Sequence, residues 1–182
     1  MKTMTLFTAF PLSAEVSELA SELQDRLRER IAGSYPRKEN LHVTLHYFGP
    51  TEETKTADLI RILEECPFPE MFLRFDQFHV FPARKGDAVT LGAEADDVLR
   101  KMYRELEKTL QSAGFSPEQK TYQPHITLVR AKQKNVDLKG IEIHPAVMEL
   151  NEFGLYESLQ IHGLRVYRPL YIRQRKEEQY EH

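Results

Sequence analysis

Apolar residues recur at helical spacing in two stretches of the chain. Val16, Leu19, Leu23, Leu27 and Ile31 form one stripe, and Val98, Met102, Leu106, Leu110 and Ala113 form another. Steps of three and four put each set on one side of a helix, so both predict long surface helices with one buried face. Ser13 stands where it can cap the first, and Gly114 follows the second, where a left-handed residue commonly ends a helix. A shorter helix over 54–65 stops before Pro67. The intervening runs are rich in β-branched and aromatic residues and predict strands over 4–10, 41–48, 71–80, 89–93, 125–129, 141–144, 147–156 and 163–172. Neighbouring strands are joined by turn-like sequence ("RKGD", "HP", "HG") too short for a helical crossover. The sheets should therefore be largely antiparallel and the class α+β.

One strand departs from a simple core pattern. In "NLHVTLHYFG", residues 40–49, polar groups alternate with apolar ones, and the pattern returns later: "HVTLHYF" at 42–48 is matched by "HITLVRA" at 125–131. Two copies of histidine, β-branched residue, threonine and leucine are expected by chance in fewer than roughly one in ten thousand chains of this composition. Because side chains alternate along a strand, His42 and Thr44 share one face and Val43 and Leu45 the other. His125 and Thr127 are related to Ile126 and Leu128 in the same way. Each copy thus offers an apolar face for the core and a polar face bearing an imidazole and a hydroxyl. Side by side, the two strands would put two histidines and two threonines in one cleft.

That set suits a phosphate ester. With ordinary pKa values near ~6.5, one imidazole can be neutral while the other is charged, giving a general base and a general acid around one phosphorus. Threonine hydroxyls can donate to the non-bridging oxygens as negative charge builds there. Each motif contributes one good metal ligand and neither strand contains Asp or Glu, so no metal site and no cofactor are expected.

Composition narrows the setting. A chain of 182 residues suits one domain, 1–182, built of two intertwined lobes. The net charge of −3 argues against a broad sequence-independent grip on nucleic acid. A small phosphorylated ligand or an RNA end is compatible with it. Cys66 is the single cysteine and cannot form an internal disulfide, and the start "MKTMTLFTAFPLS" lacks the apolar stretch of a signal peptide or membrane span. The expectation is a cytoplasmic, monomeric protein with no membrane association. The polar end "RQRKEEQYEH", from about 174 to 182, should fray.

The duplicated His-x-Thr pattern resembles the 2H phosphoesterase superfamily. "ENLHVTLHYFG" and "YQPHITLVRAK" are similar to its RNA 2′,3′-cyclic phosphodiesterase branch, also called 2′-5′ RNA ligase, with "LFTAFPL", "HVFPARKGDAVTLGAE" and "LYESLQIHGLRVY" in the family's order. The resemblance implies a two-lobed α+β fold with a pseudo-twofold axis, antiparallel sheets lining a cleft and helices outside. It also implies opening of 2′,3′-cyclic phosphates on RNA ends or nucleotides to 2′-phosphates. By position, His42 corresponds to the proton donor to the leaving 3′ oxygen and His125 to the acceptor that activates water. Thr44, Thr127 and Arg130 correspond to phosphate-binding residues. Strict alternation turns Arg130 away from His125 unless a bulge or the strand's end redirects it. His46 stands where relatives often have a basic residue and Tyr122 where an aromatic is usual, which implies a nucleotide contact for the first and stacking on a base for the second. His79, His144, His162 and His182 read as structural or solvated, and Arg84 and Lys85 as a solvated turn. Two rival functions use the same cleft: 2′-5′ ligation, with an RNA 5′-hydroxyl replacing water, and nucleotide binding without turnover.

Overall fold

The computed structural model describes residues 2–118 and 120–176. Two antiparallel sheets carry the chain. The first has the order β3-β1-β8-β9, built from β1 (Thr3–Pro11), β3 (His42–Glu52), β8 (Glu152–Ile161) and β9 (Leu164–Gln174). The second has the order β2-β6-β5-β4-β7, from β2 (Gly33–Ser34), β4 (Phe72–Phe81), β5 (Ala88–Ala93), β6 (His125–Ala131) and β7 (Ala146–Glu149). Among the described residues three α-helices complete the fold: α1 (Ala14–Arg28), α2 (Thr56–Glu65) and α3 (Asp97–Ser112). The α+β class with two antiparallel sheets is as expected.

The repeat is larger than the tetrad. β1–α1–β3 and β5–α3–β6 are each a strand, a helix and a motif strand that returns antiparallel to the first. Each helix crosses to the opposite sheet. α1 packs against β6 and β7, while α3 lays the Tyr103 ring on His46 of β3. This exchange makes the two halves one core, with Phe10, Leu23, Leu73, Leu91, Leu106 and Phe153 buried. Ser13 caps α1 by accepting from the Val16 N–H (3.3 Å). Gly114 follows α3 at φ +87°. Asp96 caps the start of α3 through the Leu99 N–H (2.8 Å), and the buried stripe becomes Leu99, Met102, Tyr103, Leu106 and Leu110. Val98, expected on that stripe, is exposed.

Three strand expectations change. The run 147–156 is two strands, because the chain leaves the second sheet at Leu150, whose N–H donates to the Met71 carbonyl (2.8 Å), and enters the first at Glu152. Residues 141–144 form no strand, although Ile141 and Ile143 pack on the core, because their backbone has no adjacent ladder. The last strand begins at Leu164, after His162 and Gly163 make a two-residue turn at φ 49° and 77°. Of the end expected to fray from about 174, Gln174 closes β9 and the Arg175 N–H donates to the Asn151 carbonyl (2.7 Å). The remainder, 177–182, including His182, lies outside the described residues. No helix among the described residues is long and apolar enough to cross a membrane.

Candidate active site

The motif strands β3 and β6 touch each other, and a cleft of about 550 Å³ opens between them, lined by His42, Thr44, His125, Thr127 and Arg130 among others. The sequence repeat is also a geometric repeat. His42 Nδ1 lies 2.7 Å from the Asn40 carbonyl oxygen, and His125 Nδ1 lies 2.7 Å from that of Gln123. A carbonyl only accepts, so each Nδ1 carries the proton and each Nε2 is left for proton transfer. His42 Nε2 reaches Thr44 Oγ1 at 3.0 Å. Tyr167 meets the His42 ring edge-on at 5.1 Å, which fixes the imidazole plane from the side of β9.

A β-bulge follows each motif at the same place. On β3, Thr44 pairs with Ala9 but His46 with Thr8, leaving Leu45 as the extra residue. On β6, Thr127 pairs with Thr90 but Val129 with Val89, leaving Leu128 extra. A bulge shifts the two-residue alternation by one. The residue five beyond each histidine therefore returns to the histidine's face, and Arg130 lines the cleft instead of turning away. Its counterpart on β3 is Tyr47, 45% exposed and lining the same cleft. Sequence reasoning missed Tyr47, although aligning "HVTLHYF" with "HITLVRA" sets it directly over Arg130.

The same bulge corrects the expectation for His46. It aligns with buried Val129, is 2% exposed, and stacks on Tyr103 (4.2 Å between ring centroids, 7° between planes), so its side chain does not reach the cleft. Neither ring nitrogen makes a well-formed hydrogen bond among the described residues, and burial, opposed by the Tyr103 backbone, pushes its pKa down to about 4. Buried polar groups hold both bulges. The His46 N–H donates to Thr8 Oγ1 (2.9 Å), and Gln24 Nε2 donates to the Leu128 carbonyl (3.0 Å).

Tyr122 occupies a different place from a free stacking platform. One ring face lies on Tyr103 (4.4 Å, 7°) and its hydroxyl donates to the Thr44 carbonyl (3.0 Å), tying the approach to β6 to the motif strand of the other lobe. It borders a second arm of the cleft, about 540 Å³, which also includes Phe81 and Lys120 and shares Thr44, Tyr47, His125, Thr127 and Arg130 with the first. Of the remaining histidines, His144 is exposed and His162 sits in the β8–β9 turn. His79 lies over Gly92, the strand partner of His125, where an added Cβ would come within 2.6 Å of His79 Nδ1. Arg84 and Lys85 are in the exposed turn before β5, apart from the residues lining the cleft.

Electrostatics distinguishes the two imidazoles. Burial holds both pKa values below the ordinary histidine value, against the opposing pull of the Asn40 and Gln123 carbonyls. His42 is lowered further by the positive charge of His125, whereas His125 also faces Lys120, His79 and Arg130. More cationic neighbours surround His125, which adds to burial, the largest cause at both rings, in favouring its neutral form.

Two lobes that each bring one His-x-Thr strand to a shared cleft define a 2H phosphoesterase. A family model described as the 2′-5′ RNA ligase superfamily matches residues 16–168, and the chain belongs to that family. It is 31% identical over 176 residues to the RNA 2′,3′-cyclic phosphodiesterase of Thermotoga maritima, covering 92% of this chain and 94% of the relative. The protein of the same name from Aeropyrum pernix is 31% identical over 160 residues, 82% of this chain and 86% of the relative. Among solved structures, E. coli LigT in complex with 3′-AMP superposes with a TM-score of 0.82 at 24% identity, over 97% of this chain and 100% of that one, a likeness in fold.

Proposed function

We propose that this enzyme hydrolyses 2′,3′-cyclic phosphates of RNA ends or nucleosides to 2′-phosphomonoesters, with His125 as proton acceptor and His42 as proton donor. The observation that carries the reading is the matched anchoring of both imidazoles through Nδ1, which leaves two Nε2 atoms for one cleft. His125 Nε2 takes a proton from water, and the water oxygen attacks phosphorus opposite the bond to the 3′ oxygen. That bond breaks as His42, entering protonated, delivers its Nε2 proton to the leaving oxygen. The phosphorus stays on the 2′ oxygen, and solvent returns the two histidines to their starting states. Thr44 and Thr127 hydroxyls donate to the non-bridging oxygens, and Arg130 supplies positive charge where negative charge accumulates. The relatives' names support the substrate class.

A second reading, 2′-5′ ligation, is favoured by one observation. The arm lined by Tyr122 and Lys120 continues past His125 on the nucleophile's side, with far more room than a water needs. There an RNA 5′-hydroxyl would replace water in the same in-line step. Binding without turnover is disfavoured by the complete set of His42, Thr44, His125 and Thr127.

Purified protein is incubated with 2′,3′-cyclic AMP, with and without a 5′-hydroxyl RNA and with excess chelator, and the product is read by phosphorus NMR. A 2′-phosphate is expected. A 3′-phosphate would reverse the ribose relative to His42, and no product would leave only the binding module.

A further inference from the structure

The geometry points to a second anion subsite on the His42 side of the cleft, formed by Arg165 with Ser158, that takes the internal phosphodiester one nucleotide 5′ to the cyclic end of an RNA. This deepens the reaction proposed above and rests on it. In-line attack puts the water on His125's side of the phosphorus and the departing 3′ oxygen, with its ribose, on His42's side. The nucleoside and the chain attached to its 5′ oxygen must then occupy the arm of the cleft beyond His42. That arm is walled by Asn40, Ser158, Arg165 and Tyr167, from the approach to β3 and from the β8–β9 ribbon.

Arg165 is built into this wall. It shares the cleft face of the ribbon with Tyr167, and Nη1 donates to Ser158 Oγ at 3.0 Å. Its carbonyl accepts from Asn40 Nδ2 (2.9 Å) and from Arg37 Nη2 (2.6 Å). Asn40 is the residue whose own carbonyl orients His42, so one short chain of bonds fixes the guanidinium's backbone relative to the proton donor. Nearby Arg168 pairs with Glu157, and Arg37 pairs with Glu39 at 2.9 Å, whereas no carboxylate among the described residues pairs with Arg165. Arg130 is the other cleft arginine without such a partner, and it stands beside the reacting phosphorus. Two guanidiniums lining one cleft, neither with a carboxylate partner among the described residues, suit a ligand with two phosphates, the reacting one and the next along the strand. A nucleoside 2′,3′-cyclic phosphate has only the first.

The test compares kcat/KM for adenosine 2′,3′-cyclic phosphate and for the ApA dinucleotide ending in a 2′,3′-cyclic phosphate, in wild type, Arg165→Gln, Arg165→Lys and Arg100→Gln. Arg100 is an exposed charge on α3 and controls for net charge. Wild type is expected to prefer the dinucleotide by about tenfold, the size of one charge-assisted contact. That preference should fall toward unity in Arg165→Gln, recover in part in Arg165→Lys, persist in Arg100→Gln, and weaken with added salt only where Arg165 or Lys is present. Equal kcat/KM for both substrates in wild type, or an equal loss on both in Arg165→Gln, would overturn the subsite while leaving the hydrolase intact. Failure of wild type to turn over either substrate would instead overturn the hydrolase reading. Thermal unfolding of each variant identifies any that misfolds, and the Lys variant then decides, because it keeps the charge and the backbone contacts.

Discussion

Replacing His46 by Phe separates a nucleotide contact from a core histidine, because the two roles predict opposite results. The imidazole is 2% exposed and parallel to Tyr103, with burial holding its pKa at about 4. An unfolded chain binds that proton near pH ~6.5, so between about pH 6.5 and about pH 4 the unfolded state holds more protons than the folded one. Stability then rises with pH across that window, and the contribution is lost as pH falls through it. At about pH 4.5 linkage gives a cost of about 2.5 kcal/mol relative to neutral pH, a sizeable fraction of a domain's stability.

Phenylalanine can keep the stack on Tyr103 and cannot be protonated, and it removes two buried ring nitrogens that make no well-formed hydrogen bond among the described residues. Urea unfolding of wild type and His46→Phe, at neutral pH and at about pH 4.5, measures the difference while other titrating groups largely cancel. The variant should gain about 2.5 kcal/mol on wild type at the lower pH, a midpoint shift on the order of 1 M urea. Hydrolysis of a cyclic nucleotide should stay within about threefold of wild type, since the side chain does not line the cleft. Equal acid sensitivity of the two proteins would mean that His46 titrates in water. Loss of turnover with an intact fold would restore it to the nucleotide site.

Three further outcomes follow from the cleft. His42→Ala and His125→Ala should each lower turnover by about a hundredfold or more, whereas His79→Ala should change it only a few-fold; equal damage from all three in steady-state assays would contradict the pairing. The profile of kcat/KM against pH should be bell-shaped with its maximum below about pH 6.5, because both imidazoles are held below their ordinary value in the free enzyme; a maximum near pH 8 would show that they are not. Thr8→Val should destabilise by about 1–3 kcal/mol in denaturant titrations, since it leaves the buried His46 N–H without its acceptor, and it should lower activity through the displaced bulge; an unchanged midpoint would show that the bulge has another support.

The repeat made the centre of the site legible. A histidine and a threonine two apart on a strand share a face whatever the tertiary structure, and doubling the pattern identified both copies without any knowledge of how they meet. Features that depend on what lies across a strand were not legible. Arg130 and Tyr47 reach the cleft, and His46 leaves it, only because one extra residue sits opposite β1 in one lobe and opposite β5 in the other. The composition of either strand shows no sign of that insertion, and the polar clamps Thr8 and Gln24 come from far along the chain. For the same reason 147–156 read as one strand. The adjacent polar pair Asn151 and Glu152 is the one local mark in that run of the place where the chain changes sheets. Residues 141–144 alternate like a strand but find no partner.

The roles proposed for His42 and His125 ask two like halves to supply unlike histidines. The anchoring of the rings does not separate them, since both are fixed by the carbonyl two residues upstream at the same distance, although among the described residues His42 alone also reaches its motif threonine. The difference comes from what the repeat fails to duplicate. At the position brought back by the bulge, the His125 strand has Arg130 and the His42 strand has uncharged Tyr47. Lys120 adds a second positive charge on the approach to His125. Both cations oppose protonation of His125 before substrate arrives, which suits a base that must begin neutral. His42 is opposed chiefly by burial and by charge on His125 itself, so while His125 remains neutral only burial works against a proton on His42. An anionic phosphate between the rings lowers the cost of that proton further. Removing both cations, as Lys120→Gln with Arg130→Gln, should therefore raise the pH at which His125 titrates, followed by histidine NMR, and move His42 less. If His125 titrates at the same pH in that variant, burial and not these charges keeps the proton off it.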